Sequence, residues 1–304
     1  YSIAPRFTVQ TVVGKTAKVG DRTAWTMSDF LEVVNDLPDG TQIFSEMTRG
    51  AFLEYALTLS SSSYLNYATG DCHFDAESFK QLLEVAKRFP EEIDWDALYG
   101  EDYNWNEYDM QYRSDKTLLM QLYLADFSSL HQQEAATFGE PISLIGFPSD
   151  DGNGSAMMLR TQFAVYAKTR NADGAWAFLR YFLSDEYQES TNYYGYPVKI
   201  SALKKKMTED IKPYTYNDEL GEVVEQPNTW WVGDQEIDIG YPTQEEAQRV
   251  YDFISTIRTI FRTDKSLVAI INEEAGAYFA GQKNVDDVAN VIQNRVKTYL
   301  AESR

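Results

Sequence analysis

Pro148-Ser149-Asp150-Asp151-Gly152-Asn153-Gly154-Ser155 is an eight-residue stretch without a large apolar side chain, set between two short apolar runs. Ile142 to Phe147 precedes it; Ala156-Met157-Met158-Leu159 and then Phe163 to Ala167 follow. Runs of this length and composition predict buried strands on both sides. Asp-Gly and Asn-Gly favour positive φ, so the stretch is expected to turn sharply. Its carboxylates and amides need water or a ligand, because an apolar core would leave them unsatisfied. Two readings are open: a plain strand–turn–strand connector, or the edge of a cleft that meets a polar ligand.

The rest of the chain supplies more strands and many helices. Arg6 to Val13 alternates β-branched residues and predicts a strand, and Thr117 to Tyr123 predicts a second, buried one. Thr26 is an expected N-cap with Asp29 three residues on, and Thr48 to Leu59 carries apolar residues at helical spacing. Asp75 is expected to cap a helix bearing Phe79, Leu82, Leu83, Ala86 and Phe89, and Asp126 one from Phe127 to Ala136. Ala172 to Leu183, a further turn to about Thr191, and Ser201 to Met207 also read as helix. Three helices end the chain. Thr243 and Glu246 form a capping box for the first, whose stripe runs from Ala247 to Phe261; the second stops at Gly281; Asn284 caps the third. Glu91 to Arg113, with Trp95, Tyr99, Tyr103, Trp105, Tyr108 and Tyr112, reads as a surface loop pinned by aromatics. Asp210 to Tyr241 holds Trp230-Trp231 and reads as a long excursion or a small hairpin across Gly233-Asp234. The sum is a helix-rich α/β chain with five or six short strands.

At 304 residues the chain suits one large domain or two lobes. A net charge of −20 argues against nucleic acid and against an anionic membrane surface, both of which are met by Lys and Arg. Cys72 is the single cysteine, so no internal disulfide forms, and with only His73 and His131 a zinc site of N and S ligands is not expected. No metal or cofactor is implied. No apolar run of about 18 residues spans a membrane. The chain starts at Tyr1 without Met and reads as a mature or truncated form.

Adjacent acids such as Asp150-Asp151, Glu91-Glu92, Glu245-Glu246, Glu273-Glu274 and Asp286-Asp287 are not by themselves a glycosidase pair, which must face each other across a bond. Most lie at helix starts, where acids favour the dipole. No Gly-x-Ser-x-Gly elbow, P-loop or Gly-x-Gly-x-x-Gly is present, so an enzyme is not expected. The 21 Tyr and 6 Trp suit sugar or aromatic-ligand binding, since these rings offer an apolar face and a polar tip.

Four segments stand out: Phe74-Asp75 through Phe89-Pro90, Ile145 through Gly154, Trp176-Ala177-Phe178-Leu179-Arg180-Tyr181-Phe182-Leu183, and the tail with Ile271-Asn272-Glu273-Glu274-Ala275 and Tyr278-Phe279-Ala280-Gly281-Gln282-Lys283. In this order they resemble the extracellular solute-binding proteins of bacterial ABC importers, most of all the family-1, sugar-type proteins of Gram-positive bacteria. The resemblance covers nearly the whole chain. It implies an α/β, periplasmic-binding-protein-like (type II) two-lobe fold, here mainly the C-terminal lobe plus returning segments. Residues 1–156 would be the first part of that lobe, starting at the hinge strand. Residues 157–197 would pack with an N-terminal lobe that should precede Tyr1, and 198–304 would return to the C-terminal lobe. Apolar surface left without that cover opens a route to dimerisation.

The implied function is capture of an extracellular solute, a sugar first, in an interlobe cleft and its delivery to ABC permease subunits. The implied location is the cell surface, as a lipoprotein whose anchor is not in this chain. The implied cleft residues are Arg6 and Phe7 at the hinge, Tyr123, Asp126 and Phe127 at the end of the buried strand, and Ser149, Asp150, Asp151 and Asn153 in the polar loop. Tyr194 and Tyr196 in the aromatic turn and Trp230 and Trp231 complete the set. A carbohydrate-active enzyme fragment and a surface adhesion or sensor module are the competing readings.

Overall fold

The computed structural model describes residues 2–101, 103–104, 108–190 and 193–303. Its centre is strand β1 (Arg6–Lys15), every residue of which is buried. In chain order, β2 (Gln42–Phe44), β3 (Thr117–Leu124), β4 (Ile142–Leu144), β5 (Ala156–Arg160), β6 (Tyr196–Pro197) and β7 (Thr259–Ile260) complete a seven-stranded mixed sheet. On one edge of β1, β3 pairs antiparallel from Val9↔Leu124 to Gly14↔Leu119, with β2 parallel outside it. On the other edge β5 pairs antiparallel from Arg6↔Arg160 to Gln10↔Ala156, with β7 parallel beyond it.

The polar stretch turns sharply at Ser149–Gly152, where the Gly152 N–H donates to Ser149 O at 3.2 Å and Gly152 has φ +74, but it does not reverse the strand direction. β4 pairs with β1 at Lys15↔Ile142 to Val13↔Leu144, and β5 takes up the same direction at Gln10↔Ala156. One edge strand is therefore interrupted, and residues 145–155 leave its line and return to it. The Phe147 N–H donates to Gly154 O at 2.6 Å across the neck of this excursion, and Ser155 Oγ meets Thr11 Oγ1 at 2.8 Å where the strand resumes.

Because successive side chains point to opposite faces, β1 serves two cores. Phe7, Val9 and Val13 join Met120, Leu122 and Leu124 beneath the helix Gln244–Thr256. Val12 joins Leu119, Ile145 and Phe147 beneath Phe52, Phe79, Leu83, Ile271 and Ile292, from four further helices. A strand covered on both sides is usually apolar throughout, but Arg6 to Val13 alternates, with Arg6, Thr8 and Gln10 on one face, so its burial on both sides is a finding of the structure.

The expected caps form where the backbone donors are within reach. Thr26–Asp29 and Thr243–Glu246 are both complete capping boxes and Asn284 caps its helix; Thr48, read as the first helical residue, is instead the cap of Arg49–Leu59. Thr243→Ala should therefore cost about 1 kcal/mol; an unchanged denaturation midpoint would show that the box adds nothing.

Four segments differ from expectation. The helix Glu77–Ala86 starts after Ala76, so Asp75 is not its cap. The Asp126 carboxylate instead of capping a long helix accepts from the Ser128 N–H and from the Ser128 and Ser129 hydroxyls, closing a local turn. The residues after it divide into a short α-helix, Ser129–Gln132, and a π-helical segment, Gln133–Phe138, whose Ala135 and Ala136 carbonyls are taken by the Arg113 guanidinium. The helix Ala172–Tyr181 is shorter than expected and is followed by Asp185–Gln188. The first terminal helix ends at Thr256, and the β-branched Thr259–Ile260 beyond it becomes β7. More strands form than expected, because four two-stranded ribbons flank the main sheet, among them Thr229–Val232 with Gln235–Asp238. Trp105 lies outside the described residues. No described helix is long and apolar enough to cross a membrane.

Candidate functional site

At the start of β1, the face that carries Val12 bears Thr8 and Gln10. Gln10 is opposite Tyr123 on one side and Ala156 on the other, and Thr8 is opposite Met158. Directly opposed residues share a face, so Thr8, Gln10, Tyr123, Met158 and, one pair further, Arg160 project together. Thr8 and Gln10 are 0% and 1% exposed, and neither Thr8 Oγ1 nor Gln10 Oε1 has a hydrogen-bond partner among the described residues. Leaving a buried polar atom unpaired costs about 1–3 kcal/mol, so these two atoms favour any group that brings them a hydrogen bond.

Aromatic and cationic groups stand over them. Tyr123 is 43% exposed and its hydroxyl reaches Met158 Sδ at 3.4 Å. The Arg160 guanidinium lies 5.7 Å from the centre of the Tyr194 ring. Burial pushes the Tyr123 phenol up, Tyr55 from the helix Arg49–Leu59 and Tyr194 add to this, and Arg160 opposes it. Gly195 has φ +90 and a Cβ there would sit 2.7 Å from Phe7 O, so the chain beside Tyr194 can pass this close to β1 only with glycine at this position. An exposed ring, an unpaired acceptor, a hydroxyl and a guanidinium can hold a polar, hydroxylated molecule reversibly.

The residues expected from sequence fall in several places. Tyr123 and Tyr194 are in the group just described. Arg6 is 3% exposed and donates to the carbonyls of Tyr187, Gln188, Ser190, Tyr193 and Gly195, so it ties that segment to β1. Phe7, Phe127 and Tyr196 pack together in the core on the opposite face, with Tyr196 ring contacts of 5.5 and 5.1 Å and its hydroxyl donating to Asp126 O. Trp230 and Trp231 lie on the Thr229–Val232 strand beside Met120, also on the opposite face from Tyr123. There the Trp230 indole N–H donates to Asp109 Oδ2 at 2.9 Å, and a groove of about 610 Å³ runs past Tyr108, Gln133 and Thr137.

Ser149, Asp151 and Asn153 bond mainly among themselves. The Ser149 hydroxyl and the Asn153 N–H donate to Asp151, while the Asp150 N–H donates to Ser63 Oγ. Burial raises the Asp151 carboxyl pKa, but the hydrogen bonds from Ser149, Ser62 and Asn153 outweigh it and hold the group below its ordinary value. A depressed carboxyl contributes stability that is present above its unfolded pKa and is lost as pH falls through the folded one. Acidification below about pH 4 should therefore destabilise the protein more than it does the Asp151→Asn variant. Urea midpoints measured from pH 7 down to pH 3 check this, and parallel curves would refute it.

Thr8, Gln10, Tyr55, Met158 and Arg160 were not expected from the sequence. The available signal was two polar residues, Thr8 and Gln10, at alternate positions of a strand that is otherwise built for burial. The paired acids are engaged elsewhere: Glu273 and Glu274 with Arg295, Asp286 with Lys80, and Glu246 with Thr243 and His131. Burial also pushes the Cys72 thiol up, away from the reactive thiolate. Among the described residues, no group of three or more His, Cys, Asp and Glu is placed to hold a metal ion.

The fold has many counterparts among solved structures. A de novo designed cysteine esterase aligns with a TM-score of 0.56 at 12% identity, over 99% of this chain and 72% of its own. A putative oligosaccharide periplasmic-binding protein from Synechococcus sp. MITs9220 gives 0.53 at 12%, over 99% and 73%. The cyclic alpha-maltosyl-1,6-maltose binding protein from Arthrobacter globiformis gives 0.52 at 12%, over 99% and 72%. At such identities the likeness is one of fold, the type II periplasmic-binding-protein architecture. A comparison with curated proteins found no match. The family profile described as bacterial extracellular solute-binding protein matches residues 7–214, a span that holds β1 to β6 and with them every residue of the Thr8–Gln10–Tyr123 group. The chain belongs to the bacterial extracellular solute-binding protein family.

Proposed function

We propose that this protein captures a carbohydrate reversibly over the start of β1 and delivers it to the permease of an ABC importer. The observation that carries the reading is the pair of buried, unpartnered polar atoms, Thr8 Oγ1 and Gln10 Oε1, beneath the exposed ring of Tyr123. Tyr123 offers its ring to the C–H face of a sugar, and sugar hydroxyls reach Thr8 and Gln10, which are 0% and 1% exposed, once the groups covering them move aside. The cyclic alpha-maltosyl-1,6-maltose binding protein and the oligosaccharide periplasmic-binding protein that share the fold support the same class.

The reading extends to the lobes. Met157–Arg160 and Tyr196–Pro197 belong to the main sheet, and between them the chain carries several rings that face outward. In the helix Ala172–Tyr181 only Leu179 is buried, whereas Trp176, Phe178 and Tyr181 are 47%, 62% and 44% exposed. A patch of that kind suits an interface, and a second lobe seated there would close over Tyr123 and Tyr194 when the sugar binds. Placement outside the cell as a lipoprotein of a Gram-positive bacterium follows from the family resemblance alone.

A thermal-shift screen of mono- and oligosaccharides tests the function. A ligand at about 100 times its Kd stabilises by about 2.7 kcal/mol, which for a chain of this size is a rise of roughly 5 °C or more. If amino acids or short peptides shift the melting temperature and no sugar does, the carbohydrate assignment is wrong.

A further inference from the structure

We infer that the sugar carries a carboxylate and that Arg160 is the residue that reads it, so that the protein selects uronate-containing carbohydrates over their neutral counterparts. This rests on the binding site proposed above and names its substrate class.

The chain has 47 Asp and Glu against 27 Lys and Arg, so a basic side chain in it has no shortage of acidic partners. Lys15, Lys80, Lys199, Lys205, Arg249 and Arg295 are each paired with a carboxylate. Arg160 is not paired with any carboxylate among the described residues, which it shares with Arg6, Arg113 and Arg258; those three bond backbone carbonyls instead, whereas Arg160 is exposed on the face that carries Tyr123. Its contacts are the thioether of Met158, with Nη1 3.6 Å from Sδ, and the face of Tyr194.

Across the sheet Arg160 is in register with Arg6. Arg6 is buried, and its hydrogen bonds go to backbone carbonyls, which orient its charge without cancelling it. Glu189, beside one of those carbonyls in the chain, is bonded to Lys205. Two guanidinium groups thus stand at the same end of one sheet, neither bonded to a carboxylate among the described residues. They make a local positive field in a strongly acidic protein, and a field of that sign attracts an anion.

The rest of the site limits what that anion is. Thr8 and Gln10 lie within the same group and ask for hydroxyls, and the Tyr123 ring asks for an apolar ring face. The planar guanidinium fork of Arg160 matches a carboxylate bidentately. A phosphate would more often be met by several backbone N–H groups or several cations, and one exposed arginine on a strand provides neither. A sugar ring bearing one carboxylate satisfies all of these groups together.

Isothermal titration of the protein with glucose, glucuronate and glucose 6-phosphate, and with the corresponding maltose series, tests the inference. At low ionic strength the uronate member should bind roughly tenfold or more tightly than the neutral one, and the gap should narrow as salt is added. Arg160→Gln should bring the uronate-to-neutral ratio close to one, and Arg160→Lys should retain part of it. A ratio near one in the parent protein, a ratio unmoved by Arg160→Gln, or tighter binding of the phosphate would each overturn the inference. In those cases binding of a neutral sugar that is lost in Tyr123→Ala would leave the site itself standing. If no sugar of any charge binds the folded protein, the site falls and the inference with it.

Discussion

Tyr123→Ala is expected to weaken sugar binding by roughly ten- to a hundredfold, the loss that follows when a stacking ring worth 1–3 kcal/mol is removed. The ring is 43% exposed and its side-chain contact is with Met158, so the ligand-free protein should melt within about 2 °C of the parent. Trp231→Ala is the matched control. It removes a larger ring that is 51% exposed, but on the other face of the sheet, beside Met120. Affinity should be unchanged by it. Titration calorimetry on the two variants separates the sites: loss of binding in Trp231→Ala with none in Tyr123→Ala would move the ligand to the indole groove and refute the placement proposed here.

Gly154→Ala should be among the most damaging single methyl groups that can be added to this protein. A Cβ at Gly154 would lie 1.8 Å from Phe147 O and 2.8 Å from Phe147 N, both backbone atoms that cannot rotate away. The neck of the excursion, where the Phe147 N–H donates to Gly154 O at 2.6 Å, would have to open. Phe147 would then lose its place between Phe44 and Phe52, with ring distances of 6.3 and 5.1 Å. A cost of about 3 kcal/mol or more is expected, seen in calorimetry as a fall in Tm of roughly 5 °C or more. Gly152→Ala in the same loop is the comparison. Its φ is +74 but a Cβ there meets only Ala24 at 3.8 Å, so the cost is confined to about 1 kcal/mol of left-handed backbone. Equal stability of the two variants would show that the neck is not rigid.

The loop shows how far a one-dimensional reading reaches. Its polarity, its glycines and the strands on either side were all legible, because each depends on neighbours in the chain. Its path was not. An Asp-Gly step looks the same whether the chain reverses or steps out of line and returns, and only the register of β4 and β5 on β1 distinguishes them. The same division holds for Asp126. A carboxylate before a helical run reads as a cap, but two following serine hydroxyls compete for it and win.

For the site, residue type was legible and placement was not. Tyr123, Tyr196 and Trp231 are equally suited to a sugar by chemistry. Period-two alternation on neighbouring strands sends the first to one face of the sheet and leaves the other two on the side of Met120. Gln10 and Thr8 were visible as polar residues in a buried strand, yet their significance depends on Oε1 and Oγ1 lacking partners, a property of the packed molecule alone.

What the sequence determined by itself is therefore local and cumulative: the caps at Thr26, Thr243 and Asn284, the helical stripes, the strand character of β1, the absence of disulfide chemistry, and the family resemblance carried by motifs in order. Only the tertiary structure decided which rings share a face with which polar atoms, because strand pairing joins residues more than a hundred positions apart. Gln10 and Tyr123 meet through the backbone hydrogen bonds of β1 and β3, and no periodicity within either strand states that the other will be its neighbour.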